Sequence, residues 1–143
     1  MITERDMQFI NEAEQVAVHA TCDLLHVGCV IVKDGAIISS GWNATIPEYK
    51  PCSEAGHIMS EDGRCMRQIH AETNAVLNVS NKDDLKGAIA YVTLEPCDNC
   101  TKILNQSGIS KVIFKNRFKN PFNTYFIKPM EWICLEDLES RFD

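Results

Sequence analysis

The segment from 88 to 106 constrains the fold more than any other part of the sequence. An unbroken apolar run at 88–94, AIAYVTL, predicts a strand that is buried on both faces at the centre of a sheet. Pro96 then opens a predicted helix at 97–106, and a glycine follows just past its end. Cys97 and Cys100 stand three positions apart in the first turn, so both thiols lie on one helix face. A central strand therefore leads into a helix that presents two thiols at its N-terminus.

The remaining sequence predicts a hairpin followed by alternating helices and strands. The predicted elements are a helix at 3–20, a hairpin at 28–41 with an Asp34-Gly35 turn, a helix at 70–79, a strand at 111–114 and a candidate last strand at 131–135. Residues 120–126 are compatible with either a loop or a helix. This order predicts one domain over residues 1–143, a three-layer α/β/α sandwich with a mixed central sheet of about five strands.

A long stretch at about 44–69 shows no period of either kind and contains two prolines and two glycines. An irregular loop of more than about 15 residues is uncommon in a compact domain and usually carries function or is tied down. This loop also carries two cysteines and a histidine. A bound metal is one way in which the chain could hold it in place.

Composition excludes some classes of function. The formal net charge is −6, whereas an extended nucleic-acid site usually shows as a basic surface. A polynucleotide partner is therefore disfavoured, although a small basic pocket for one phosphate is compatible with this charge. No apolar run approaches the roughly 20 residues of a membrane span, and the N-terminus MITERDMQF is charged and unlike a secretory signal. These features favour a cytoplasmic protein with no membrane partner.

The chain has seven cysteines, an odd number. In a chain without a secretory signal, cysteines are more often metal ligands or free thiols than disulfides. Cys29 and Cys134 lie in apolar runs and are predicted to belong to the core. The other five cysteines are the candidates for metal binding.

His70 and Glu72 complete the strongest chemical pattern. With Cys97 and Cys100, His70 gives a Cys₂His set that leaves one position of a tetrahedral zinc open. Water bound at such a position has a pKa of about 7, so hydroxide forms at neutral pH. Glu72 is placed to approach the same metal and is the candidate catalytic proton shuttle. The alternative is a structural zinc knuckle, which normally has four protein ligands.

These motifs, His70-Ala71-Glu72 and Pro96-Cys97-Asp98-Asn99-Cys100, resemble those of the zinc-dependent cytidine and deoxycytidylate deaminase superfamily. The resemblance covers most of the chain and is closest to dCMP deaminases of bacterial and phage type. The narrower matches are Thr21-Cys22-Asp23, Val27-Gly28-Cys29-Val30, Gly41-Trp42-Asn43, Gly56-His57, Gly63-Arg64-Cys65-Met66-Arg67-Gln68-Ile69, Asn74-Ala75 and Gln106-Ser107-Gly108-Ile109.

The resemblance implies a cytidine deaminase-like fold and hydrolytic deamination of dCMP to dUMP, which supplies dUMP for dTMP synthesis. It implies a homohexamer that dCTP activates and dTTP inhibits, with Mg²⁺ bound to the nucleotide effector. It also implies a second, structural zinc, whose ligands by position are Cys22, Cys52, His57 and Cys65. Three cysteines and one histidine would close a structural site and pin the long loop. The alternative is that these are unrelated thiols and a surface histidine.

The resemblance also implies four contacts with the substrate. Asn43 would contact the sugar, and the Ala71 N–H and Glu95 carbonyl would bind the base. Arg67 is a candidate for a phosphate, because a guanidinium binds phosphate oxygens in pairs. The alternatives are that Asn43 is a turn residue that ends a strand and that Arg67 is a solvated loop charge.

Two departures leave other substrates open. Leu24 stands where many relatives have an arginine, and Thr93-Leu94-Glu95-Pro96 is common in riboflavin-pathway, guanine and tRNA-adenosine deaminases. The alternative functions are therefore a tRNA-adenosine, guanine or cytosine deaminase. A function of another class is a non-catalytic zinc-binding regulatory module that keeps the fold.

Overall fold

The computed structural model describes residues 2–22, 24–61, 63, 65–118 and 120–139, so Asp23 and Arg64 of the family-like segments lie outside the described residues. The strands are β1 Gly28–Lys33, β2 Ala36–Trp42, β3 Ile89–Leu94, β4 Lys111–Asn116 and β5 Glu131–Cys134. The α-helices are α1 Glu4–Ala17, α2 Cys52–Ala55, α3 Ala71–Asn78, α4 Asp98–Gln106 and α5 Leu135–Glu139. Short 3₁₀ helices span Lys82–Leu85 and Asn123–Tyr125.

The five strands form one mixed sheet in the order β2-β1-β3-β4-β5. β1 pairs antiparallel with both β2 and β3, whereas β3, β4 and β5 run parallel to one another. The apolar run that predicted a central strand is β3, the middle strand of the sheet. The predicted mixed sheet of about five strands is confirmed.

Alternate residues of β1, β3, β4 and β5 enter two separate cores. On one face Cys29, Val92 and Phe114 pack with residues of α3 and α4. On the other face Tyr91 and Ile113 pack with residues of α1 and α5. Because side chains alternate across a strand, this division is what a sheet covered by helices on both faces requires. The predicted three-layer α/β/α sandwich is therefore confirmed.

Two glycines allow helices to approach the sheet closely. A Cβ on Gly28 would lie 1.9 Å from the Ala13 carbonyl oxygen of α1. A Cβ on Gly41 would lie 2.3 Å from the Ala75 nitrogen of α3. Neither position tolerates a side chain without moving a helix. Gly41 thereby sets the depth of α3, the helix that follows His70.

The element boundaries differ from the predictions in small, explicable ways. The predicted helix at 3–20 begins with a capping box at Thr3 and Asp6 but ends at Ala17, because the next three N–H groups bond to carbonyls three residues back. The hairpin turn is as predicted, with positive φ at both Asp34 and Gly35. None of the helices in the described part of the chain is long and apolar enough to cross a membrane.

The loop at 44–69 is irregular for most of its length, but it contains the four-residue helix α2. Its two ends are held together by an antiparallel bridge between Ala44 and Ile69. A second bridge joins Met59 to Cys65 within the loop. The segment is therefore a closed excursion from the sheet, and its two ends lie next to the ends of β2 and α3.

Candidate active site and metal clusters

Two helix N-termini on one face of the sheet carry the first cluster, defined as His70, Cys97 and Cys100. His70 is the N-cap of α3 and Cys97 the N-cap of α4, both with extended backbone. The helices predicted from 70 and 97 therefore begin one residue later. The Cys97 thiol accepts a hydrogen bond from the Cys100 N–H, with an N···S distance of 3.4 Å. This cap turns both sulfurs toward the same point.

The three side chains of the first cluster are brought together as the sequence predicted. His70 Nδ1 lies 3.3 Å from Cys97 Sγ and 3.4 Å from Cys100 Sγ. The three ligand atoms all lie within 4.8 Å of one another, and both cysteines are free. One imidazole nitrogen and two sulfurs at this spacing suit zinc, with one position left for another ligand.

The thiols of the first cluster influence one another. Hydrogen bonds with Cys100 and His70 lower the pKa of Cys97, although burial opposes the shift. The hydrogen bond with Cys97 and burial raise the pKa of Cys100. The pair therefore keeps one proton on Cys100, and a cation is needed for both thiols to be deprotonated together. The donor set fits a divalent metal on this ground as well.

Glu72 lies in the first turn of α3 and is only 3 % exposed. Burial raises the pKa of its carboxyl to about 7, against the opposing effect of the neighbouring His70. A buried carboxyl beside a metal cluster has little structural justification unless it takes part in chemistry. The structure thus places an ionisable carboxyl next to the three candidate ligands.

A cavity of about 250 Å³ opens beside the first cluster. Its lining includes Glu72, His70 and Cys97, together with three of the residues proposed to contact substrate. Those three are Asn43, Ala71 and Glu95. The candidate acid–base group, two ligands and three candidate contacts therefore share one space.

Asn43 has a structural role in addition to its place in the cavity. Its Oδ1 accepts the Val27 N–H at 2.7 Å, and its Nδ2 donates to the Leu25 carbonyl at 2.7 Å. The amide thus closes the turn that precedes β1, and it keeps one N–H and one lone pair for a ligand. Arg67 is not among the residues that line the cavity, and its buried Nε has no hydrogen-bond partner among the described residues.

The second cluster consists of Cys22, Cys52, His57 and Cys65, the four residues named from the resemblance. Their ligand atoms also lie within 4.8 Å of one another. His57 Nδ1 is 3.7 Å from Cys22 Sγ and 3.4 Å from Cys65 Sγ, and the sulfurs of Cys52 and Cys65 are 3.6 Å apart. Three sulfurs and one nitrogen fit a closed tetrahedral zinc site.

The second cluster borders the same cavity as the first. Cys22 and Cys65 contribute to the cavity lining. Gln68, two residues before His70, also lines the cavity and donates from Nε2 to Cys52 Sγ at 3.0 Å. Burial would raise the pKa of Cys65, but hydrogen bonds from the Arg67 backbone and from His57 outweigh it and lower the pKa to about 6. The two clusters therefore border the same cavity.

Sequence reasoning missed the C-terminal side of this cavity. Phe118, which follows β4, lines it with a half-exposed ring. The side chain of Glu95 is buried, accepts the Phe118 N–H and pairs with Arg117. Asn123 is buried behind it. No local pattern marks these residues, because their contacts join segments more than 20 positions apart.

Metal-dependent deaminases are the class of protein in which H-x-E and P-C-x-x-C motifs come together in this way. The family model "cytidine and deoxycytidylate deaminase zinc-binding region" matches residues 3–116, and the chain belongs to this family. The site motifs and the sheet from β1 to β4 all lie within the matched part.

Individual relatives agree with this assignment. The deoxycytidylate deaminase of Mycobacterium phage D29 is 33 % identical over an alignment of 120 positions, and the match covers 76 % of this chain and 92 % of the phage protein. ComE operon protein 2 of Bacillus subtilis is 38 % identical over 112 residues, 78 % of this chain but only 59 % of that protein. The dCMP deaminase of cyanophage S-TIM5, solved with dCMP and dUMP, matches with a TM-score of 0.78 and 26 % identity, over 94 % of this chain and 98 % of that one.

Proposed function

We propose that the protein is a zinc-dependent hydrolase that deaminates dCMP to dUMP with release of ammonia. The observation that carries the proposal is the buried Glu72 carboxyl, which shares one cavity with His70 and Cys97. The likeness to the phage D29 deoxycytidylate deaminase over 92 % of that protein supports the choice of substrate.

His70, Cys97 and Cys100 would hold the catalytic zinc, in keeping with their mutual distances. Zinc bound there would act as a Lewis acid that makes a water molecule nucleophilic at neutral pH. The remaining chemistry falls to the chain. The cavity binds the substrate, and the Glu72 carboxyl moves the protons.

Glu72 performs the proton transfers in this proposal. Its carboxylate takes a proton from the attacking water and gives it to the ring nitrogen next to the amino-bearing carbon. The second water proton passes by the same carboxyl to the amino group, which leaves as ammonia. The new carbon–oxygen bond becomes the carbonyl of dUMP, so one water is consumed for each ammonia released.

The backbone and Asn43 orient the substrate in this proposal. The Ala71 N–H, at the start of α3, donates to the base oxygen, and the Glu95 carbonyl accepts from the amino group. Asn43 uses its remaining N–H and lone pair for the sugar. Arg67 is proposed as the phosphate ligand from the family resemblance, because a guanidinium binds phosphate oxygens in pairs, and its side chain would have to turn toward the cavity to do so.

The second cluster would hold a structural zinc that pins the loop at 44–69. Three thiols and an imidazole within 4.8 Å of one another support this proposal. Metal analysis of the fully loaded protein should then give two zinc ions per chain. A value of one would remove the second site from the proposal.

Three further features are proposed from the family resemblance: a cytoplasmic location, a homohexamer, and regulation by dCTP and dTTP with Mg²⁺. Exposed apolar side chains such as Val18 and Leu77 are compatible with burial between subunits. Sedimentation analysis measures the assembly, and assays with and without each nucleotide measure the regulation.

One assay tests the substrate assignment. Ammonia release is measured from dCMP, CMP, deoxycytidine, cytosine, guanine and adenosine, each with and without dCTP. We expect turnover of dCMP to exceed that of the other five compounds. Activity confined to guanine or adenosine would overturn the substrate and leave the reaction class. Activity with none of the six, together with full zinc content, would favour the non-catalytic module.

A further inference from the structure

Asn123, the first residue of the second 3₁₀ helix, forms the centre of a buried hydrogen-bond network. It is 3 % exposed. Its Nδ2 donates to the Pro96 carbonyl at 2.8 Å and to Glu95 Oε2 at 3.1 Å. Its Oδ1 accepts from Thr101 Oγ1 at 3.0 Å and from Asn120 Nδ2 at 3.2 Å. All four hydrogen-bonding positions of this one amide are therefore used.

The chemistry of the partners fixes the orientation of the amide. A carbonyl oxygen and a carboxylate oxygen can only accept, so the nitrogen of Asn123 must face Pro96 and Glu95. An aspartate at this position would have the same size but no donor. A carboxyl oxygen that is buried away from water, such as Glu95 Oε2, needs a hydrogen-bond donor. The network therefore depends on an amide rather than on volume alone.

The network ends at the wall of the cavity. Glu95 and Cys97, on either side of Pro96, both line the cavity. Phe118 also lines it, and its N–H donates to Glu95 Oε1 at 3.3 Å. The Thr101 hydroxyl, fully buried in α4, also lies 2.8 Å from the Cys97 carbonyl, so its one hydrogen is shared between that oxygen and Asn123 Oδ1. The Asn123 amide thus connects α4, the Glu95-Pro96 turn before it and, through Glu95, the backbone of Phe118.

We propose that Asn123 is a positioning residue for the reaction, and that Phe118 is the apolar wall against which the substrate base rests. Asn123 acts through Glu95, because its bonds to the Glu95 side chain and to the adjacent Pro96 carbonyl hold this turn against the Phe118 backbone. This inference rests on the proposed function. It adds two residues to the site, neither of which belongs to the zinc or proton-transfer machinery.

The test uses a double-mutant cycle. Asn123→Asp removes both donors and sets a second carboxylate against Glu95. A displacement of about 1 Å in a binding site lowers kcat/KM by about a hundredfold, and we expect a loss of that size, chiefly as a rise in KM. Glu95→Gln combined with Asn123→Asp restores one hydrogen bond with reversed polarity. We expect the double variant to recover at least about tenfold in kcat/KM over Asn123→Asp.

Asn105→Asp is the matched control. Asn105 also donates two hydrogen bonds, to the Phe126 and Lys128 carbonyls at 2.7 Å, and so holds the same C-terminal segment away from the cavity. If Asn105→Asp lowers kcat/KM as much as Asn123→Asp does, the effect is general loosening and the proposal is wrong. Strictly additive effects in the double variant would also overturn it.

Two further measurements cover an unfolded variant and a wrong substrate. Phe118→Leu leaves the backbone network intact and should raise the KM for dCMP about tenfold with little change in kcat; an unchanged KM contradicts the role of the ring.

Amide hydrogen exchange at Phe118 needs no substrate. We expect exchange to be about tenfold faster in Asn123→Asp than in Asn105→Asp, and equal rates would contradict the network. Wild-type protein that ignores dCMP would count against the proposed function alone.

Discussion

The two cysteine–histidine clusters use the same residue types but are built on different supports. The first cluster stands on the N-termini of α3 and α4, which pack on the sheet, and a buried carboxyl adjoins it. The second cluster gathers ligands from loops and the four-residue helix α2 over positions 22–65. Three ligands on rigid helices suit a site that must leave room for a reactant. Four ligands on irregular chain suit a site whose task is to hold that chain.

The largest expected effect is on kcat, and it comes from substitution of the carboxyl group next to the first cluster but not of the one next to the second. Glu72→Gln removes the proposed proton shuttle while it preserves shape, and we expect kcat to fall by at least about a hundredfold. Glu54→Gln is the same change beside the second cluster, on an exposed side chain of α2. It should leave kcat within about twofold, because exposed surface substitutions usually have small effects. Steady-state ammonia release measures both variants.

Zinc content accompanies these assays, since both variants should keep the same metal as the wild type. A Glu72→Gln protein with full zinc and near-normal kcat would remove Glu72 from the mechanism. A large loss in Glu54→Gln would mean that the second cluster takes part in catalysis directly.

Removal of one candidate ligand should mainly reduce stability in the second cluster and mainly reduce activity in the first. Cys52→Ser should lower the free energy of unfolding by on the order of 3 kcal/mol, because metal binding to a loop site contributes directly to folding. Cys100→Ser should abolish turnover and cost less stability, because its helix is already packed against the sheet core. Urea unfolding monitored by circular dichroism measures the stability, and each variant serves as the control for the other.

Each of these variants should also lose one of two zinc ions. The interpretation fails if Cys52→Ser retains both the unfolding midpoint and the metal content of the wild type. It also fails if Cys100→Ser unfolds as readily as Cys52→Ser, because the first cluster would then be equally structural.

The comparison also shows what the sequence could predict. The two thiols of the first cluster follow from short-range spacing, since Cys97 and Cys100 are three residues apart. The addition of His70 rests on the family motif, because 27 positions separate it from Cys97. The second cluster followed only from a family resemblance, because a loop without a period gives no internal distance between Cys22 and Cys65. The central strand, the hairpin and the helix ends were accessible from local patterns. The helices α2 and α5 were not, because elements of four and five residues are formed by tertiary contacts rather than by a repeat.

The Asn123 network was beyond sequence reasoning for a related reason. Asparagine near proline and phenylalanine is typical of a loop, and the sequence of residues 120–126 is compatible with either a loop or a helix. Its partner Glu95 lies 28 positions away, and the burial of both side chains depends on the packed fold. The members of such a polar network come together only in the folded chain, so the network can be identified only from the structure.

A smaller effect concerns the release of metal in acid. Ligands must be deprotonated to bind zinc, so affinity falls as the pH falls, and the slope follows the number of protons taken up. The second cluster has three thiols and an imidazole, whereas the first has two thiols and an imidazole. We expect zinc loss to be steeper with falling pH in Cys100→Ser, which keeps only the second cluster, than in Cys52→Ser. A chromophoric zinc chelator measures the released metal, and equal slopes would contradict the assigned ligand numbers.

The smallest predicted effect tests whether a change at the second cluster alters substrate turnover at the first, since both clusters border one cavity. Gln68→Met keeps the length of the side chain but removes the N–H that donates to Cys52 Sγ. Loss of such an outer hydrogen bond typically weakens metal binding about tenfold, so zinc should leave the second cluster about tenfold faster. Gln106→Met, an exposed change on α4, is the control and should leave the rate unchanged. Because Gln68 also lines the cavity, kcat/KM for dCMP shows whether the two clusters are coupled. A change within about threefold would mean that they are not coupled. A larger loss would mean that the second cluster shapes the substrate site.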